Sequence, residues 1–138
     1  MLVLTGQSAD NSLNSLNSLN SRQALGVWGE KCAAAYLQNN DYEILERNWR
    51  IRGGEIDIIA YDPQRQAAVA VEVKTRRQRK FGTPEEAITE VKLRRLRALL
   101  MAWVSQQKNY WPHIAVDCIG IEIRGREYTL RHMKDLPL

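Results

Sequence analysis

Residues 67–76 read AAVAVEVKTR, an apolar run with the look of a buried strand that ends by carrying Glu72 and Lys74. Successive side chains of a strand alternate faces, so Ala67, Val69, Val71 and Val73 point one way and Ala68, Ala70, Glu72 and Lys74 the other. The valine face is core. In the preceding run, EIDIIAY (residues 55–61), Ile56, Ile58 and Ala60 likewise share a face, with Glu55, Asp57 and Ile59 opposite. Apolar faces must coincide across a paired hairpin, because a slip of one residue turns a whole set to the wrong side. A register with Asp57 opposite Glu72 pairs Ile58 with Val71 and Ile56 with Val73, and leaves Pro63 to Gln66 as a short hairpin loop. Asp57, Glu72 and Lys74 then converge.

Around this hairpin the pattern alternates between helix and strand. Residues 1–20 contain the triplet repeat NSLNSLNSLN, which has too little apolar content to offset the entropy of ordering it, so they read as a low-complexity, disordered tail. Residues 21–138 form a single domain. Asn20 or Ser21 caps a helix expected to run to about Asn39, with Leu25, Trp28, Cys32, Ala35 and Tyr36 as its apolar stripe. A second stripe, Gly26, Glu30, Ala33 and Leu37, is mostly small, which lets the helix lie close to a sheet and lets Glu30 project inward. DYEILERNWR, EIDIIAY and AAVAVEVKT follow as three strands, divided by Gly53-Gly54 and by Asp62-Pro63. Thr83-Pro84-Glu85-Glu86 carries an N-cap, a proline at the first helical position and a glutamate three residues after the cap. Ile88, Val91, Leu96, Leu99, Leu100, Trp103 and Val104 give that second helix its apolar face, with Lys92, Arg94, Arg95 and Arg97 largely off it. HIAVDCIGIEI and EYTLRH, on either side of Arg124-Gly125-Arg126, read as a closing strand pair. A strand, a helix and another strand make a crossover that sets residues 114–123 parallel to 68–75 in one mixed sheet. The fold class is α/β.

The chain has 138 residues, 44% of them hydrophobic and 26% charged, enough for one domain with a real core. No run approaches the roughly 18 apolar residues of a membrane span, and the start lacks a positively charged leader, so no membrane partner and a cytoplasmic location are expected. Cys32 and Cys118 stand in unrelated contexts, without the spacing of a disulfide framework or a zinc site. The net charge of +4 is unevenly spread: between Lys74 and Arg97, nine Lys or Arg face three Glu, a local excess of six that leaves the remainder slightly acidic. Concentrated positive charge favours a phosphate-bearing partner, foremost nucleic acid.

Two carboxylates about 5 Å apart on neighbouring strands repel unless a cation lies between them or one takes a proton. Oxygen ligands from Asp57 and Glu72, with no His or Cys close in sequence, suit Mg²⁺ or Mn²⁺ better than zinc. Lys74 shares the face of Glu72, where it can hold an attacking water or offset charge on a phosphate. Metal-assisted phosphodiester hydrolysis is the expected chemistry. A Glu and a Lys on one strand face are usually an exposed pair. An Asp among isoleucines, however, costs several kcal/mol unless a cation or hydrogen bonds satisfy it. A purely structural Lys74 bridge is the competing account, since ion-pair networks imitate active sites.

An acid on the second strand, here Asp57, followed by Glu-x-Lys on the third, here Glu72-Val73-Lys74, resembles the PD-(D/E)XK nuclease superfamily. More narrowly, GVWGEKCAAAYL, YEILERNWR, GGEIDIIA, VAVEVKTR and FGTPEEAITEVK resemble the YraN family of uncharacterised bacterial proteins, predicted endonucleases similar to archaeal Holliday junction resolvases. The likeness spans roughly residues 22–123. It implies a restriction-endonuclease-like, three-layer fold with an α-β-β-β-α-β core and an extra C-terminal strand. It also implies a Mg²⁺- or Mn²⁺-dependent endonuclease acting on DNA, branched or otherwise structured, and a homodimer, since a junction has two strands to cut. The acid of the family's GxxGE motif falls on Glu30, adding it to Asp57 and Glu72 as a metal ligand. Ile56 stands where the wider superfamily has proline, a residue dispensable in resolvase-like members, so the resemblance implies little change to the metal site. The rival from another class is a catalytically silent nucleic-acid-binding module that keeps the fold.

Arg76, Arg77, Arg79 and Lys80 follow Lys74 directly and are placed to meet phosphates, as are Arg47, Arg50 and Arg52. Trp49 reads as a half-buried strand residue. Glu55 reads as an exposed acid at a strand edge and Asp117 as a buried acid paired with an arginine. His113 and His132, without partners at metal or triad spacing, read as surface or strand-end histidines.

Overall fold

A computed structural model of the chain describes residues 2–7, 22–77, 86 and 88–137. In chain order the elements are β1 (Leu2–Gln7), α1 (Arg22–Asn39), β2 (Glu43–Ile51), β3 (Gly54–Asp62), β4 (Ala67–Arg77), α2 (Glu90–Ser105), β5 (His113–Arg124) and β6 (Glu127–Met133). The six strands form one sheet in the order β1-β6-β5-β4-β3-β2. Among the described residues, only β4 and β5 run parallel, joined by the α2 crossover that the sequence pattern demanded. The β3–β4 hairpin has the expected register, Ile58 opposite Val71 and Asp62 opposite Ala67, with residues 63–66 as its loop.

One helix covers each face. On the α1 side, Trp28, Ala33, Ala34 and Leu37 pack with Ile58, Ala60, Val69, Val71 and Ile119. On the α2 side, Leu93, Leu96, Leu99, Leu100 and Trp103 pack with Ile59, Ala68, Ala70 and Val116. Both faces of β4 are therefore core, as usual for a strand with a parallel neighbour in the middle of a sheet. The closest approach of α1 to the sheet is at Gly29, a residue of neither stripe, while Gly26 of the small-residue stripe has nothing within 4 Å of a Cβ. A Cβ built on Gly29 would lie 1.8 Å from Oγ1 of Thr75, so only glycine lets the helix sit this near to β4. That contact sets the depth of Glu30, the next residue.

Several expectations are corrected. Ile56 packs on the α2 side, whereas Ile58 and Ala60 pack on the α1 side, so the strict alternation of β3 breaks at Asp57. The β3–β4 ladder reaches only to Ile58 opposite Val71, which releases the residues beyond it from the pleat and leaves Ile56 unpaired with Val73. Helix α2 starts at Glu90, capped by Thr89, whose Oγ1 accepts from the Lys92 amide. Val91 is consequently exposed, and Leu93 takes its place in the core. In α1, Ala35 is exposed and Ala34 buried. Within the expected tail, Leu2–Gln7 forms an edge strand antiparallel to β6, where its backbone satisfies the N–H and C=O groups of that strand. The repeat at 11–20 and the helix-start signal at 83–85 lie outside the described residues. Among the described residues, no helix is long and apolar enough to cross a membrane.

Candidate functional site

Where the β3–β4 ladder stops, a side chain replaces a backbone acceptor: the Val73 amide donates to Oδ2 of Asp57 at 2.9 Å. Asp57 thereby sits in the fork between two strands and reaches groups on both faces of the sheet. On β2, Asn48 occupies the position between the pairs Arg47–Ile58 and Trp49–Ile56 and has a left-handed backbone, φ 51°. Asparagine tolerates that conformation better than most residues. With its amide nitrogen turned toward α1, Asn48 donates to both carboxylate oxygens of Glu30, at 3.3 and 3.1 Å.

Asp57 links the two glutamates. Burial pushes the Glu30 carboxyl up, the Asp57 charge and a hydrogen bond with Asp57 add to this, and Arg47 opposes it. Glu72 is pushed up to about 7, first by burial and then by Asp57, against the pull of Lys92 and Lys74. Burial and the neighbouring charge thus favour the protonated form of both glutamates at pH values where isolated carboxylates are bare. As they stand, the described side chains do not form a group of three His, Cys, Asp or Glu around one metal position. Three carboxylates, one buried and two half-buried, are the donor type that a hard divalent ion takes, though they are not gathered around one position as they stand.

Two lysines address one oxygen of Glu72. Lys74 Nζ lies 3.9 Å from Oε1 and Lys92 Nζ lies 3.5 Å from the same atom. The structure thus brings together Glu30, Asp57, Glu72 and Lys74, and adds Lys92 and Asn48, which sequence reasoning missed. Lys92 carried a readable signal. Lys92, Leu96 and Leu100 recur at i, i+4 and i+8, so it extends the buried stripe of α2 toward the sheet.

The basic residues are more dispersed. Arg47 is exposed yet near enough for its charge to act on Glu30. Arg50 is exposed and held by Glu55 at 2.9 Å, and Arg52 is exposed in the β2–β3 turn, where Gly53 has φ 106°. Arg76 and Arg77 are half-buried at the end of β4, and Arg79 and Lys80 lie outside the described residues. Trp49 is half-buried against the α2 core.

At the loop end of the hairpin a second polar cluster is built around Arg65. Its guanidinium donates to both oxygens of Asp117 at 2.9 and 2.7 Å, to Tyr42 at 3.1 Å and to Asp62. His132 is fully buried, which corrects the surface reading: Nε2 is 2.8 Å from Asp117 and Nδ1 is 2.9 Å from the Tyr36 hydroxyl. A ring protonated on Nε2 donates to Asp117 and accepts from Tyr36, which satisfies all three groups. Burial, and then Asp117, push the Tyr36 hydroxyl up to about 12, so it remains a donor. Asp117 is paired with an arginine as expected, and the cluster is a buried structural tie.

The family described as "Uncharacterised protein family UPF0102" matches residues 29–121. A UPF0102 protein of Mycolicibacterium gilvum is 43% identical over 114 residues, covering 82% of this chain and 93% of the relative. Its counterpart in Nocardia farcinica is 44% identical over 114 residues, covering 82% and 88%. That of Rhodococcus opacus is 42% identical over 113 residues, covering 81% and 94%.

Proposed function

The chain belongs to the UPF0102 (YraN) family, and from that premise we propose that it is a metal-dependent endonuclease of the PD-(D/E)XK type, hydrolysing phosphodiester bonds in branched or otherwise structured DNA. One observation carries the reading. Asp57 is fixed at the fork by the Val73 amide, and its charge acts on both Glu30 and Glu72, beside two lysines. A structural salt bridge explains Lys74 with Glu72 but gives no reason for a third carboxyl group to join them. Two helices flanking a mixed sheet are compatible with a restriction-endonuclease-like fold, which we adopt as part of the proposal.

Asp57, Glu72 and Glu30 would hold Mg²⁺ or Mn²⁺, which supplies charge neutralisation at a phosphoryl oxygen and acidifies bound water. The chain's own groups do the rest. Val73 keeps Asp57 from rotating away, and Asn48 orients Glu30. The Lys74 ammonium, anchored by Glu72, is placed to orient a water for attack on phosphorus and to offset the charge that builds as the P–O bond breaks. Arg47, Arg50, Arg52, Arg76 and Arg77, with Arg79 and Lys80 beyond the described residues, would bind phosphates without reading bases.

Incubating the protein with single-stranded, duplex, flap and four-way DNA, in Mg²⁺ or Mn²⁺, tests the proposal. Cleavage should appear with wild type and fall at least about 100-fold in Asp57→Ala and Lys74→Ala, the scale of losing one transition-state contact. Activity that persists in both variants would refute this site. DNA binding without cleavage would favour the silent binding module. Calorimetry adds a second readout: Asp57→Asn should weaken divalent-ion binding, and equal binding by both proteins would count against these ligands.

A further inference from the structure

We propose that Lys92 is a second phosphate-binding group of this site, which passes from Glu72 to a non-bridging phosphate oxygen when a nucleic-acid strand enters; the inference rests on the nucleic-acid reading above. It starts from an anomaly in α2. Thr89 is the N-cap, so Lys92 is the third residue of the helix, in the first turn. The unsatisfied amides there make the end positive and favour acids over lysine. The acid of that turn, Glu90, offers no compensation to Lys92, because it is bonded to Arg94 at 2.8 Å on the exposed side. A lysine held against local preference points to a gain elsewhere.

That gain is only partly Glu72. Lys92 and Lys74 share a single oxygen, so one carboxyl group faces two ammonium groups. Once a divalent ion engages Glu72, both lysines lose much of their counter-charge, and a phosphodiester is the anion that restores it. Their surroundings divide the work. Glu72 is closed off, with 7% of its side chain exposed, whereas Lys92 reaches in from solvent with 38% exposed. Leu96 and Leu100, one and two turns along the same stripe, anchor the helix and keep the lysine aimed at the fork. The site therefore receives one cation from the strand, beneath the water-binding position, and one from the helix, at its open side.

Binding can test this without turnover. A labelled DNA duplex is titrated in Ca²⁺ over a series of salt concentrations, and the slope of log affinity against log salt is compared between proteins. Lys92→Gln should lower the magnitude of that slope by about 0.9, the value for one lost phosphate contact on duplex DNA. Lys92→Arg should keep the wild-type slope. The same drop is expected when Lys92→Gln is made in a Glu72→Gln background, since the contact is to phosphate. Arg126→Gln, in the β5–β6 turn, gives the background effect of removing a remote charge. A Lys92→Gln slope equal to wild type or to Arg126→Gln would overturn the inference, as would a drop that vanishes in the Glu72→Gln background, the mark of a mere counter-ion. Wild type that binds no DNA would overturn the nucleic-acid reading and this inference with it.

Discussion

Glu72 carries a sharp conflict, a residue 6% exposed, raised by the charge of Asp57 and faced by two lysines. Its pKa of about 7 in the folded chain lies above the ordinary 4.5. The native state therefore keeps a proton that the unfolded state has released between those values, and stability must fall as pH rises through them. The ceiling is on the order of 3 kcal/mol. Denaturant melts in chelator at about pH 5 and about pH 8 should show the loss in wild type and not in Glu72→Gln; equal pH dependence of the two would refute the assignment. The sequence identified this residue through parity alone, because alternation fixes a side chain's face in a regular strand. It did not identify Asn48, whose role depends on a left-handed residue in β2 meeting a helix 18 positions earlier. Nothing local to NWR encodes that meeting.

At the scale of elements, the depth at which α1 lies on β4 decides whether Glu30 reaches Asp57. Gly29 and Gly26 separate two effects. A methyl at Gly29 would meet Thr75 Oγ1, so Gly29→Ala should destabilise by about 1–3 kcal/mol through overpacking. Nothing lies within 4 Å of a Cβ at Gly26, so Gly26→Ala should stabilise by up to about 1 kcal/mol through helix propensity. Urea melts of both variants check the pair, and equal effects would show that the close approach is not maintained in solution. The small-residue stripe pointed to a helix lying close to the sheet but not to Gly29, which makes the contact, and its own Gly26 makes none. Helix α2 begins at Glu90 with Thr89 as its cap, while the signal at 83–85 lies outside the described residues. Packing of Leu93 and Leu96 on the sheet is what the observed start at Glu90 serves.

Across the whole molecule, the β3–β4 hairpin has two ends with different work. Its open end gathers Glu30, Asp57, Glu72, Lys74 and Lys92. Its loop end ties β3, β5 and the residues after β6 through Arg65, Asp62, Asp117 and Asp135. Burial pushes Asp117 up, but hydrogen bonds from His132 and Arg65 outweigh it and hold the carboxyl below its ordinary range. Its contribution is present above that range and is lost as pH falls through the folded value. Arg65→Met leaves a buried acid without its cation and should cost about 3–5 kcal/mol, while Lys74→Ala, half-exposed, should change stability little. Urea melts compare them, and a Lys74→Ala loss as large as that of Arg65→Met would mean that the open end is structural as well. The sequence by itself determined the α/β order and the hairpin register from Ile58 to the loop, because periodicity of apolar residues dictates which faces are buried and how neighbours align. Only the tertiary structure decided that Ile56 crosses to the α2 side, that His132 is buried between Asp117 and Tyr36, and that Lys92 enters the site. Those outcomes depend on where a ladder ends and on contacts between residues far apart in the chain, which no local pattern records.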